Sequence, residues 1–398
     1  MSLTIIQPQA SGRTLQLTGS MVVDANGNFT VQLTGAGEAV PPEPEPPPAG
    51  VTITPTGGDD TAHIQQALNA LPADERLILS GMFNVQNTIY LEGYSKTLAG
   101  DTSKPSGIRS TNVGIMSGPY ASMVCVRGAA ECIIRDLEFD AQGHPTELVF
   151  FTGTNASGIR DCYLHDISSV NGPPYGAIHS EGCGSIFAIG NRVERTKTGS
   201  TNCRGIWIRG DTVLIEGNTV RDSGHTGIAA EGIQILVTGN TVERAQTDGT
   251  GYKMCYRQSG YSGYKSSREA QAALQFRENV ARDTLNGGLM LEDCGNAAVL
   301  IESNNWINCG GQGTTFGALY SPYPVQSLTW RNNRVENCRS LGALRHATGH
   351  TFTDTTFSGG SDILYLEDDC HQITLTRSGK VNVGSNCSGI TVDGKVIA

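Results

Sequence analysis

The residues best suited to chemistry sit in seven short segments of similar pattern: GAIHSEG (176–182), GIWIRG (205–210), GIAAEG (227–232), KMCYRQ (253–258), GLMLED (288–293), GALYSP (317–322) and GALRHA (342–347). Each alternates apolar and polar residues, which is the two-residue period of a β-strand. Ile206, Ile208, Ile228 and Ala230 then point inward. The alternating set points out: Trp207, Arg209, Ala229, Glu231, Cys255, Arg257, Met290, Glu292, Leu319, Ser321, Leu344 and His346. One outward position per segment makes a column of Glu181, Arg209, Glu231, Arg257, Glu292, Ser321 and His346, with Glu181 joining if its strand carries one extra residue.

Paired carboxylates with a cation between them suit cleavage of a glycosidic bond. Glu231 and Glu292 are two segments apart, so stacking at the strand spacing puts their Cα atoms about 9.5 Å apart. Inverting hydrolases hold their carboxyls roughly 6.5–9.5 Å apart, which leaves room for a water. Glu181 and Glu231 share that offset. Glu231, Glu292 and Arg257 are therefore the expected catalytic group. A cation beside a carboxyl also lowers its pKa, which works against the acid role. Trp207 is exposed by the same pattern and offers a face for a sugar ring. Arg209, Lys253, Tyr252, Tyr261, Tyr264, Glu181 and His346 complete the expected substrate contacts.

A second chemistry uses the same neighbourhood. In β-elimination on a uronic-acid polymer, Arg257, Arg209 or Lys253 neutralises the sugar carboxylate, and Tyr252, Tyr261 or Lys253 takes the proton. Hydrolysis requires no cofactor. Elimination admits calcium on Glu231 and Glu292, although two isolated carboxylates make a poor calcium site. Against both stands a purely structural account, in which a ladder of alternating charge solvates a sheet face. His179, His225 and His346 read as structural side chains. Glu367, Asp368, Asp369 and His371 read as a solvated turn.

A repeat positions these residues. IFAIGNRVERT, VLIEGNTVRDS, ILVTGNTVERA, LQFRENVARD, VLIESNNWINC and LTWRNNRVENC superpose without gaps on Asn191, Asn218, Asn240, Asn279, Asn304 and Asn333, at spacings of 27, 22, 39, 25 and 29. Weaker copies lie at Asp136 and Asp161. Strands and turns at such a period predict an all-β parallel β-solenoid. The Asn residues are expected to take the left-handed bend and to bond along the stack. The spacing of 39 holds an insertion, SGYSGYKSSREAQ (259–271), of the kind that carries binding residues on a rigid scaffold.

Upstream, GGDDTAHIQQALNALP predicts a short helix capped by Asp59, Asp60 or Thr61 and ended by Pro72. PPEPEPPPAG predicts a stiff linker over 40–50. Residues 1–39 form a small β module with a hairpin at Asn26-Gly27, and 51–398 form the solenoid. Eleven cysteines without a CxxC pair predict buried free thiols rather than zinc or disulfides. The net charge of −10 gives no general attraction for nucleic acid or anionic membrane. The sequence shows neither a recognisable signal peptide nor a membrane-spanning segment.

GGDDTAHIQQAL followed by short strands resembles the opening segment of the pectin-lyase-like superfamily of right-handed parallel β-helices. That group includes polysaccharide lyases, polygalacturonase-type hydrolases, mannuronan epimerases and phage tailspikes. The resemblance covers residues 56 to about 390. The polygalacturonase signatures NTD, DD, GHG and RxK do not occur together, and DPHD is absent, so no catalytic residue carries over by motif. The small N-terminal module is most similar to that of a tailspike. This implies a homotrimer, docking of the module on a larger assembly such as a virion, and an extracellular or virion-surface location. The expected function is binding and hydrolysis of a bacterial surface or extracellular polysaccharide. The alternatives are a lyase and a non-catalytic structural or receptor-binding spike.

Overall fold

The computed structural model describes the strands 2–8, 14–23 and 29–36, and residues 50–398 apart from 113–115, 117, 169–175, 197–202, 246–249, 257–272, 293, 311–316 and 323. Two compact units result, Met1–Ala49 and Gly50–Ala398. In the first, Ser2–Pro8, Thr14–Val23 and Phe29–Ala36 form a three-stranded antiparallel sheet, with Val22 opposite Thr30.

The second unit is a right-handed parallel β-helix of about 11 turns. Its strands stack into three faces, because each short apolar-polar run can bury one side only by lying on the run of the next turn. A representative turn runs along the front face in Gly176–Glu181, turns at Gly182, and crosses a second face in Cys183–Ile189. It then bends at Gly190-Asn191 and runs along a third face in Arg192–Thr196. The predicted repeat is thus the second strand, the Asn corner and the third strand. One apolar core fills the interior, and the helix Thr61–Ala70 adds Ile64 and Leu68 to it. Among the described residues no helix is long and apolar enough to cross a membrane.

The Asn ladder forms, with one correction. From Asn218 onward each Asn Oδ1 accepts two bonds from the Asn of the preceding turn: Asn279 Oδ1 takes Asn240 N at 3.0 Å and Asn240 Nδ2 at 2.9 Å. The same pairing joins Asn191 to Asn218 and Asn304 to Asn333. The left-handed residue is the one before each Asn: Gly190, Gly217, Gly239, Glu278, Ser303 and Asn332 all have φ between 54° and 65°. The bend aims the Asn side chain inward, so the amide is free to serve the ladder. The true counterpart of Asn191 in the preceding turn is Cys162, whose N–H donates to Asn191 Oδ1 at 3.1 Å. Asp136 and Asp161, at φ 55° and 54°, match Gly190 instead. Ten described cysteines are free, nine of them buried and Cys387 half-buried.

Asn279→Ala would leave the N–H of Asn240, a fully buried residue, without its acceptor. An orphaned buried donor costs about 1–3 kcal/mol. A destabilisation in that range by urea unfolding is expected. A change under about 0.5 kcal/mol would show that the ladder does not carry the corner.

Candidate functional site

The front face holds the expected column, and the register corrects its membership. Gly176 pairs with Arg204, Ile178 with Ile206 and His179 with Trp207, so the strand carries the one extra residue that brings Glu181 level with Arg209. Arg209 pairs with Glu231, Glu231 with Cys255, and Cys255 with Glu292. The rung between the two expected catalytic glutamates therefore presents Cys255 at the column position. Arg257 lies outside the described residues, as do Tyr261, Tyr264 and the rest of the insertion. Lys253 occupies the neighbouring register position, above Ala229.

Three further expectations change. Tyr252 pairs with Ile228 on the inward side and is 1% exposed, so it can neither contact substrate nor act as its base. Its hydroxyl lies 3.0 Å from Asn240 O and 2.9 Å from Val280 O. Ser321 and Leu344 pair with each other and are fully buried, as is Leu319, which pairs with Leu289. The outward residues there are Tyr320 and Arg345. The cause is the double glycine at Gly287-Gly288: pairing Leu on Leu shifts the match by one residue. His346 is exposed but follows the strand at φ 50°, where its Nδ1 lies 3.6 Å from Asp369. Glu367 pairs with Arg345, and His371 with Asp369, which makes that segment a charged turn.

Glu181, Arg209 and Glu231 come together. Arg209 reaches back to Glu181 Oε1 at 2.8 Å and forward to Glu231 Oε2 at 2.8 Å. Tyr120 donates its hydroxyl to Glu181 Oε2 at 2.6 Å. Beneath them lies a pair that the sequence pattern did not assign to the site. Glu147 and His179 are both fully buried, with His179 Nδ1 3.2 Å from each Glu147 oxygen. His179 Nε2 lies 3.6 Å from Glu181 Oε1. The one available signal was a charge at the head of the apolar run ELVFF (147–151), whose other members are core residues as expected.

Trp207 is half-buried rather than open. His179 stacks on its ring at 4.6 Å and 9°, and the Arg204 guanidinium lies over it at 4.1 Å. Glu292 is half-buried on the front face, two rungs beyond Glu231.

Electrostatics divide these groups. The His179 ring N–H turned toward it, opposed by burial and helped by Tyr120 and the charges of His179 and Arg209, lowers the Glu181 pKa to about 2. Burial pushes His179 down, but the charge and hydrogen bond of Glu147, then those of Glu181, outweigh it and raise its pKa. Burial likewise opposes the charge on Arg209, and Glu231 and Glu181 more than restore it.

Among the described residues, Glu138, Asp140 and His165 on the third face have donor atoms within 4.8 Å of one another, close enough to hold a cation. The network there is already engaged. His165 contacts Asp166 at 2.7 Å and Glu138 at 3.1 Å, and Arg109 and Gln142 bond to Asp140.

A family described as the right-handed beta helix region matches residues 103–263. No curated protein sequence matches the chain. The fold is similar to that of the polygalacturonase from Erwinia carotovora ssp. carotovora, at 14% identity and a TM-score of 0.51, over 90% of this chain and 98% of that one. A tailspike protein double mutant of E. coli bacteriophage HK620 gives 13% and 0.42, over 85% and 78%. The mannuronan C-5 epimerase A-module of Azotobacter vinelandii gives 13% and 0.45, over 86% and 96%. The chain thus has a right-handed β-helix fold. At such identities the likeness concerns the fold, and chemistry has to be argued from the side chains.

Because Glu181 has a folded pKa of about 2, below the ordinary 4.5, its contribution to stability is complete above pH 4.5. It is lost as the pH falls from there toward 2. Glu181→Gln should therefore differ from wild type in melting temperature above pH 5, with the difference shrinking on acidification. A difference that is independent of pH would rule out an ionised Glu181.

Proposed function

We propose that this β-helix binds a bacterial surface or extracellular polysaccharide along its front face and hydrolyses it with paired carboxylates. The observation that supports this most directly is the run of charged side chains Glu181, Arg209 and Glu231, one per rung, in contact through a single guanidinium. Glu292 continues the run two rungs further on. A polymer lying along the column would meet fixed polar groups at the Glu181, Arg209, Glu231 and Glu292 rungs.

In this proposal Glu231, ion-paired to Arg209, is the base, and Glu292 is the acid. Glu231 removes a proton from water as the water oxygen attacks the anomeric carbon. Glu292 gives its proton to the leaving glycosidic oxygen, and the carbon–oxygen bond breaks with inversion. Two rungs of stacking match the carboxyl separation that such a reaction needs. Arg257, Lys253, Tyr261 and Tyr264, from the stretch that crosses the Glu231–Glu292 interval, are proposed to orient the sugar. Arg209 and Glu181 anchor the site, with Trp207 contributing an edge rather than a face. The protein is proposed to act outside the cell or on a virion surface as a homotrimer, with the N-terminal module docking on the larger assembly.

Glu231→Gln and Glu292→Gln should each lower turnover by about 10²- to 10⁴-fold, the usual contribution of a general acid or base. The assay is release of reducing ends from a panel of neutral and acidic bacterial polysaccharides. Wild-type activity in both variants would eliminate the carboxylate mechanism. Reducing ends accompanied by the ultraviolet band of an unsaturated uronate would replace hydrolysis with elimination, and would bring calcium into question. Binding without cleavage would leave a receptor-binding spike.

A further inference from the structure

The Glu147–His179 pair is a costly polar feature of the front face. Both side chains are fully buried, and the surroundings are aromatic: Phe150 lies 5.1 Å from the imidazole, Tyr120 5.0 Å and Trp207 4.6 Å. Burying two charges is often no better than burying apolar groups of the same volume, so such a pair calls for a role besides stability.

Its placement indicates the role. Glu147 is on the strand Glu147–Thr152 and His179 on the strand above, Gly176–Glu181. His179 turns Nδ1 to Glu147 and Nε2 toward Glu181. Glu181 is thus held by the Tyr120 hydroxyl and by Arg209, and the His179 ring approaches it from beneath at 3.6 Å. Tyr120 itself has φ 53°.

We propose that Glu147 and His179 form a positioning dyad, which fixes Glu181 as a carboxylate aimed at Arg209 and thereby sets the spacing of the charged column. Neither residue touches the substrate. The dyad acts when His179 carries both ring protons, one toward each carboxylate. The ionisable groups around the imidazole are Glu147, Glu181, Tyr120 and Arg209. Cys125 and Cys203 lie near Glu147, and Arg204 lies over Trp207. Among the described residues, Glu147 and Glu181 are the carboxylates that sit against its nitrogens. Rising pH removes one imidazole proton and with it the hold on Glu181.

The role of Glu181 in the site rests on the proposed function, but its ionisation does not, so the first test uses the protein alone. The Glu181 carboxyl is titrated by carbon-13 NMR in wild type, Glu147→Gln and His179→Gln, with thermal melts confirming that each variant is folded. A midpoint near 2 in wild type is expected, rising by about one unit or more in His179→Gln, the usual effect of losing a neighbouring positive charge. A midpoint that stays near 2 in folded His179→Gln overturns the dyad. If His179→Gln does not fold, nitrogen-15 NMR of wild-type His179 decides: an imidazolium persisting above pH 6.5 supports the proposal, and a neutral ring at pH 6 overturns it. On polysaccharide, both folded variants should raise KM; Glu147→Gln should shift the alkaline limb of the rate profile to lower pH, and His179→Gln should abolish that limb. Absence of any cleavage by wild type would count against the proposed function and leave the titration result standing.

Discussion

Everything on the front face depends on one constraint, the in-register stacking of parallel strands. Each rung repeats the direction and face of the last, so a residue's neighbours are its register partners and not its sequence neighbours. A column such as Glu181, Arg209, Glu231 exists because those three positions pair across successive turns. The same constraint makes the solenoid sensitive to single-residue shifts, since a slip of one places every side chain on the opposite face. The Gly287-Gly288 pair shows this. Leu319 had to stack on Leu289, and the price of that match is that Ser321 and Leu344 turn inward.

The corners hold this register. Six asparagines carry the turn from the second face to the third, each bonded to the next through both its backbone and its side-chain amide. The left-handed residue that precedes each Asn makes the bend, and glycine supplies it in three of the six turns with no steric cost. Glu278, Ser303 and Asn332 adopt the same conformation in the later turns. The tolerance of those side chains at φ near 55° shows how strongly the ladder and the core together determine the corner.

On this frame the charges of the front face are arranged in depth. Arg209 is the outer connector between Glu181 and Glu231. Glu147 and His179 lie below, where water does not reach, and their mutual attraction is correspondingly strong. The sulfur atoms and aromatic rings around them keep the pair dry. The half-buried Trp207 is part of that cover, since it stacks on His179 and lies under Arg204.

Much of this was readable from residue order alone. The two-residue alternation, the Asn spacing and the helix that opens the solenoid defined a parallel β-helix, because local propensity and period have few other solutions. Inward Ile206, Ile208 and Ile228 followed from the same alternation, and the burial of most described cysteines from their number and spacing. Which residues share a column did not follow, because that depends on how many residues each corner and loop consumes. The pattern placed Arg257 where the register places Cys255, and Tyr252, offered as a substrate contact and base, is a core residue. Glu147 and His179 were invisible as a pair, being 32 residues apart and adjacent only through stacking. Sequence by itself determined the fold and the side of the strand that most residues face, since both are local properties of alternation and turn chemistry. Only the tertiary structure decided which charges meet, because contact between rungs is set by register across whole turns.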